Sequence, residues 1–279
     1  MIGSLAEEPL SGGRTRDGVV RIGTTVRRPQ TAGSPYVHAV LRRLEAAGVD
    51  GVPRFLGTDE QGREILSYLE GGTGHDVGHW SDGQLVELAG LTRAIHDALA
   101  GTPEAGDAET VCHNDLAPWN TILSTDQPDS QPQRQPSGFI DFDDASPGRR
   151  ADDVAYLLWV FLDLGNAEVE PEEQGRRMRL FCDEYVDGQP LRSGADLHGE
   201  VLAGLRRQQA RILDFRARQH DDFSVARHSE IMAAMAWVDH NRRTLVTSLL
   251  RRRSQQAPGP RAAPLFLGQR SDSYIDNDL

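Results

Sequence analysis

Two short runs constrain this chain more than anything else in it: His113-Asn114-Asp115-Leu116-Ala117-Pro118-Trp119-Asn120 and Ile140-Asp141-Phe142-Asp143-Asp144. Asp115 stands five residues before Asn120. A carboxylate and an amide at that spacing can accept a proton from an attacking hydroxyl and offer a side-chain oxygen to a metal ion. Asp141, flanked by apolar Ile140 and Phe142, has the setting of a carboxylate leaving a buried strand. That position suits a ligand for a hard cation bridging phosphate oxygens. Phosphoryl transfer asks for little more, because it depends on aiming the nucleophile and neutralising charge. Asp and Asn also populate ordinary turns, so either run alone would mean little. Both together, in order and with Pro118 between Asp115 and Asn120, select the catalytic reading.

These runs resemble the aminoglycoside phosphotransferase family, which also takes in choline-kinase-like and homoserine-kinase-like enzymes. The family pattern is His-x-Asp-x-x-x-x-Asn followed by Ile-Asp-(Phe/Trp)-(Asp/Glu). The likeness spans roughly residues 10 to 250. It implies an α+β, two-lobed protein-kinase-like fold with a small β-sheet N-lobe carrying one main helix and a larger, mainly helical C-lobe. It implies transfer of the γ-phosphate of ATP or GTP, with Mg²⁺, to a hydroxyl of an aminoglycoside-like or other antibiotic or metabolite substrate. A metabolite kinase of choline, homoserine or sugar type is the alternative, and an inert kinase-like binding module a third reading. By this resemblance Asp115 is the catalytic base, Asn120, Asp141 and Asp143 face the metal, and His113 and Asp153 support the site. The Ser67 carbonyl and the Leu69 N–H would meet the purine edge.

Composition sharpens one point. All 30 basic residues are Arg and none is Lys. The contact of the Lys that such folds place on a strand against the phosphates must therefore come from Arg, or be missing. Arg27 takes its place by position, with Arg28 second, since guanidinium carries a permanent charge and a planar fork. Strand alternation lets only one of them enter the cleft. The family's usual helix Glu is also missing; Val37-His38 stands near its place, and His38 reads as a surface residue. The formal charge of -12 argues against a nucleic-acid surface. No apolar run reaches membrane-spanning length, and the first residues lack a signal-peptide pattern. With only Cys112 and Cys182, free thiols and a cytoplasmic location are expected, as a monomer or homodimer.

Along the chain, residues 1–70 read as the nucleotide-binding lobe, 71–253 as the catalytic and substrate-binding lobe, and 254–279 as a flexible tail. Residues 11–18 form a Gly-rich turn. Strands are expected near 19–22, 25–28, 52–57, 63–69, 109–112, 121–123 and 138–140. A helix starts at Ser34-Pro35, with Ser34 as cap, and buries Val37, Val40, Leu41 and Leu44. Ser81-Asp82 opens another, in which His96 reads as a structural His. Residues 125–136 are a Pro-rich surface loop. Trp119 reads as core, with a wall of the substrate site as the other possibility. Asp152 or Asp153 could equally cap the helix that follows Gly148. Three more helices are expected at 172–187, 195–219 and 224–252, the last burying Ile231, Met232, Met235, Val238 and Leu245.

Overall fold

The computed structural model describes residues 6–10, 18–125, 134–186, 196–217 and 222–251, and the side chains of all these except 215–217 and 222–227. The Gly-rich turn at 11–17, most of the loop at 126–133 and the tail from 252 lie outside the described residues.

The amino-terminal part is an antiparallel sheet of five strands in the order β1-β2-β3-β5-β4. They are β1 (Glu8–Pro9), β2 (Val20–Ile22), β3 (Thr25–Arg28), β4 (Phe55–Thr58) and β5 (Glu64–Ser67). β3 and β5 pair so that Arg28 lies directly opposite Glu64 and Thr25 opposite Ser67. The helix α1 (Ser34–Ala46) buries Val37, Val40, Leu41 and Leu44 at the expected helical spacing. Its cap differs from the expectation. Gly33 is the N-cap and Ser34 already belongs to the helix, because the Ser34 hydroxyl turns back to accept from the Thr31 N–H at 2.9 Å.

The remainder is mostly helical. After β6 (Gly72–Thr73) comes α2 (Asp82–Leu99), opened by a capping box in which Ser81 and Gln84 satisfy each other's backbone N–H groups. Four short strands follow: β7 (Thr110–Cys112), β8 (Thr121–Leu123), β9 (Pro136–Phe139) and β10 (Ser146–Gly148). Helices α3 (Arg150–Phe161), α4 (Pro171–Val186), α5 (Leu197–Ala217), α6 (Asp222–His240) and α7 (Arg242–Leu250) complete the described chain. The single helix expected over 224–252 is two. Asn241 breaks it, and both its backbone N–H and its side-chain amide reach the Trp237 carbonyl at 3.0 Å. Ile231, Val238 and Leu245 are buried as expected, but Met232 is exposed. No helix among the described residues is long and apolar enough to cross a membrane. Both cysteines are free and buried.

The four short strands position the chemistry. β8 pairs with β9, so Thr121 faces Phe139. β7 pairs with β10, so Cys112 faces Ser146. The loop 113–120 between β7 and β8 is thereby laid alongside the turn 140–145 between β9 and β10. The two parts of the molecule meet at Gly51, whose carbonyl accepts from the Phe139 N–H at 2.8 Å. Gly51 has φ +73, and a Cβ there would sit 2.4 Å from the Ser137 carbonyl oxygen. Only glycine satisfies both the backbone angle and the close approach.

Candidate active site

The loop 113–120 is held by buried hydrogen bonds from behind. Asp153, on the first turn of α3 and with 0% exposure, accepts from the backbone N–H of His113 and of Asn114, both at 2.8 Å. It also meets His96 Nε2 at 2.9 Å. Burial works to raise the Asp153 pKa, but the hydrogen bond and charge of His96, with His113, outweigh it and hold the carboxyl below its ordinary value. Arg149, not Asp152 or Asp153, is the N-cap of α3. His96, as expected of a structural His, is fully bonded; its other ring nitrogen meets the Tyr185 hydroxyl at 2.7 Å. His96, Cys112 and Asp153 lie close enough to suggest a metal trio. Their bonds to one another, to the loop and, from Cys112 Sγ, to the Arg149 carbonyl already occupy the ligating atoms, so this trio is structural.

His113 joins the two runs. Its Nδ1 accepts from the Asp115 N–H at 3.3 Å, which fixes the tautomer and leaves Nε2–H to donate to the Ile140 carbonyl at 3.0 Å. Asn114 adopts φ +65, an angle Asn tolerates better than most residues. Its side-chain amide donates to the Asp144 carbonyl and to Ser146 Oγ, both at 2.9 Å.

Asp115 is oriented by three side chains. Asn120 Nδ2 donates to its Oδ2 at 2.7 Å, Trp119 Nε1 to the same oxygen at 3.2 Å, and the Tyr156 hydroxyl to Oδ1 at 2.8 Å. Asn120 also donates to the Asp115 carbonyl at 3.0 Å, so its amide nitrogen faces the loop and its oxygen is the atom available to a cation. Trp119 is 37% exposed. It is a wall beside Asp115 and not core, because its indole N–H is drawn to the carboxylate. Tyr156 was not singled out in the sequence; within the apolar run of α3 it reads as packing, and nothing local marks its hydroxyl.

Across the cleft, Asp141 sits at φ +66 at the head of the short turn Phe142–Asp144. The Ile140 N–H donates to the Asn120 carbonyl at 2.9 Å, which ties Asp141 to the end of the catalytic loop. Asp144 feels both sides: burial, then the charges of Asp115 and Asp141, push its pKa up, against the pull of Arg211 and His113. Asp115 and Asp141 thus both act on the carboxyl of Asp144.

Of the two strand arginines, Arg28 turns inward. Its Nη1 meets Asp141 Oδ1 at 3.1 Å and its Nη2 meets Asp143 Oδ1 at 2.8 Å, while Nε lies 2.7 Å from Glu64 Oε1. Burial opposes the guanidinium charge, but Asp143, Glu64 and Asp141 together outweigh it and its pKa is raised. Arg27, ranked first by position, faces the other side of the sheet, as strand alternation requires. It donates to Thr25 Oγ1 at 2.6 Å and lies 3.9 Å from Asp59. His38, expected at the surface, is buried and 2.6 Å from Glu64. Ser67 ends β5, hydrogen-bonded through its N–H to the Arg54 carbonyl, and Leu69 follows in the connection toward β6.

The chain is similar to known proteins. A model of the phosphotransferase enzyme family matches residues 37–178, half of the chain. The chain belongs to that family. It is also 31% identical over 206 residues to the trifolitoxin immunity protein of Rhizobium leguminosarum bv. trifolii, covering 66% of this chain and 75% of that one. Among solved structures, choline kinase from Cryptosporidium parvum Iowa II superposes with a TM-score of 0.60 at 12% identity, over 88% of this chain and 92% of that chain. The microcompartment-associated aminopropanol kinase gives 0.54 at 16% identity, over 84% and 90%. At such identities the structures speak for the fold, which is α+β, two-lobed and protein-kinase-like. Family membership makes this chain a small-molecule phosphotransferase acting on hydroxyl acceptors. The family is nucleotide-dependent.

Proposed function

We propose that this phosphotransferase moves the γ-phosphate of ATP or GTP to a hydroxyl of an antibiotic-like small molecule. The observation that carries the reading is the tying of the loop 113–120 to the turn 140–145 by His113, Asn114 and the Asn120–Ile140 backbone bond. Asp115 is held by Asn120 and Tyr156 on one side, and Asp141 and Asp143 gather on Arg28 on the other. Asp115 orients the acceptor hydroxyl. As the acceptor oxygen bonds to the γ-phosphorus and the bond to the β-phosphate oxygen breaks, the hydroxyl proton passes to the Asp115 carboxylate. Arg28 neutralises charge on the phosphates through its two terminal nitrogens.

Asn120 Oδ1, Asp141 and Asp143 form an all-oxygen donor set, which fits Mg²⁺. Bound there, the ion would screen the phosphate oxygens from the attacking hydroxyl. The Ser67 carbonyl and Leu69 N–H at the end of β5 are our candidates for the purine edge. We divide the chain near residue 70 into nucleotide-binding and acceptor-binding lobes.

The resistance reading leans on the trifolitoxin immunity relative. A metabolite kinase acting on an amino alcohol is favoured by one feature: the exposed Trp119, bonded to the acidic Asp115, would suit a cationic head. The acidic charge of -12 and the buried free thiols support a cytoplasmic monomer or homodimer without nucleic-acid partners.

The test is transfer by the purified chain from Mg·ATP or Mg·GTP across a panel of antibiotics and amino alcohols, with Asp115→Ala alongside. Acceptor-dependent nucleotide consumption that vanishes in Asp115→Ala supports the reading, and equal turnover by both proteins defeats it. Drug susceptibility of an expressing host separates resistance from metabolism.

A further inference from the structure

A buried carboxylate is costly unless something nearby needs it. Glu64 is such a carboxylate, with 0% exposure. It sits on β5 directly across from Arg28 on β3. Its two oxygens are divided between two elements. Oε1 is 2.7 Å from Arg28 Nε, and Oε2 is 2.6 Å from His38 Nε2 on α1. The His38 ring is in turn stacked on Phe55 of β4, with centroids 3.6 Å apart. Glu64 therefore lies against the inner side of the guanidinium as an ion pair, without a well-aimed hydrogen bond from Nε, while the two outer nitrogens meet Asp141 and Asp143. A planar guanidinium with a carboxylate behind it and two carboxylates in front is restrained in place by charge and by its fork geometry.

We infer that Glu64 and His38 are positioning residues for Arg28, holding its guanidinium beside Asp141 and Asp143, where its charge serves the nucleotide phosphates. This rests on the nucleotide reading above and deepens it. The sequence places no acid on α1 to face the strand cation; the acid stands on the neighbouring strand, and α1 contributes an imidazole that orients it. Both members of the charged pair belong to one sheet, and their register keeps them together.

The experiment is calorimetric titration of the full chain with Mg·ATP, Mg·GTP, adenosine and guanosine. The proteins are wild type, Glu64→Gln, His38→Gln, Arg28→Gln and the Arg28→Gln/Glu64→Gln double variant. Glu64→Gln weakens the preferred triphosphate about tenfold or more while changing nucleoside affinity less than about twofold. His38→Gln weakens the triphosphate in the same selective way, to a smaller extent. The double variant binds the triphosphate within about twofold of Arg28→Gln alone, because the two residues act as one unit.

Unchanged triphosphate affinity in Glu64→Gln overturns the inference. So does parallel loss of triphosphate and nucleoside, which is the signature of a merely structural acid. If Glu64→Gln does not fold, the double variant decides, since it removes the unmatched buried cation as well. Folding with triphosphate affinity equal to Arg28→Gln upholds the inference; failure to fold, or weaker binding of both ligand types, overturns it. A wild type that binds neither triphosphate removes the nucleotide reading itself, and the inference with it, whatever the variants do.

Discussion

Replacing Asp153 with Asn tests how the catalytic loop is held. The carboxylate is fully buried and accepts at both oxygens: Oδ1 from Asn114 N–H, and Oδ2 from His113 N–H and His96. An Asn keeps one oxygen and turns an NH₂ toward at least one of these donors. One or two buried donors then lose their acceptor, at about 1–3 kcal/mol each, so we expect a loss of about 2–4 kcal/mol. For a chain of this size that corresponds to a fall in melting temperature of about 5–15 °C. The loop that loses its anchor carries Asp115, so turnover should fall with it. Nucleotide affinity should change little, because Arg28 and β5 are untouched. Differential scanning fluorimetry with and without Mg·nucleotide gives the stability, and steady-state kinetics separate kcat from KM. A variant with wild-type melting temperature and wild-type kcat would show that these hydrogen bonds do not hold the loop.

Other outcomes follow from the same geometry. Tyr156→Phe removes one hydrogen bond to Asp115 worth about 0.5–1.5 kcal/mol, so kcat should drop about two- to tenfold with the melting temperature nearly unchanged; an unaltered kcat would discount the tyrosine hydroxyl. Gly51→Ala forces a Cβ to within 2.4 Å of the Ser137 carbonyl oxygen at φ +73, and thermal melting should show a loss of about 1–3 kcal/mol, whereas Gly48→Ala, also at positive φ but in open space, should cost less. For pH, the folded Asp153 carboxyl is held below its ordinary value of 3.8. Its ionised form therefore contributes stability that is fully present above about pH 4 and is lost as pH falls through the lower folded value. The gap in melting temperature between wild type and Asp153→Asn should narrow below about pH 4, and a constant gap in acid melting curves would contradict the assignment.

How far the sequence could be read depended on whether a contact was local. The spacing of Asp115, Asn120 and Asp141 was legible because one loop and one turn carry them. The Ser81-Gln84 capping box was legible because both partners lie within one turn of helix. The choice between Arg27 and Arg28 was not legible, since strand alternation says that one of two neighbours points inward without saying which. Glu64 and His38 carry no local signal at all: their contacts join residues 26 and 36 positions apart, and only strand register brings them together. Trp119 and Tyr156 were misjudged or passed over because an aromatic ring in an apolar run looks like packing until its polar edge is located. The break at Asn241 was hidden by apolar spacing that continues through it.

The two strand pairings also determine where this protein can tolerate growth. Asn120 and Ile140 are joined at one end of the β8–β9 ladder, while the segment after Leu123 leaves from the opposite end and returns at Pro136. Residues inserted between Leu123 and Pro136 enter at the end of the ladder away from Asn120 and Ile140 and leave the reacting groups where they were. That segment is therefore the place to graft a label, an affinity handle or a protease site when a reporter is wanted that is silent in catalysis.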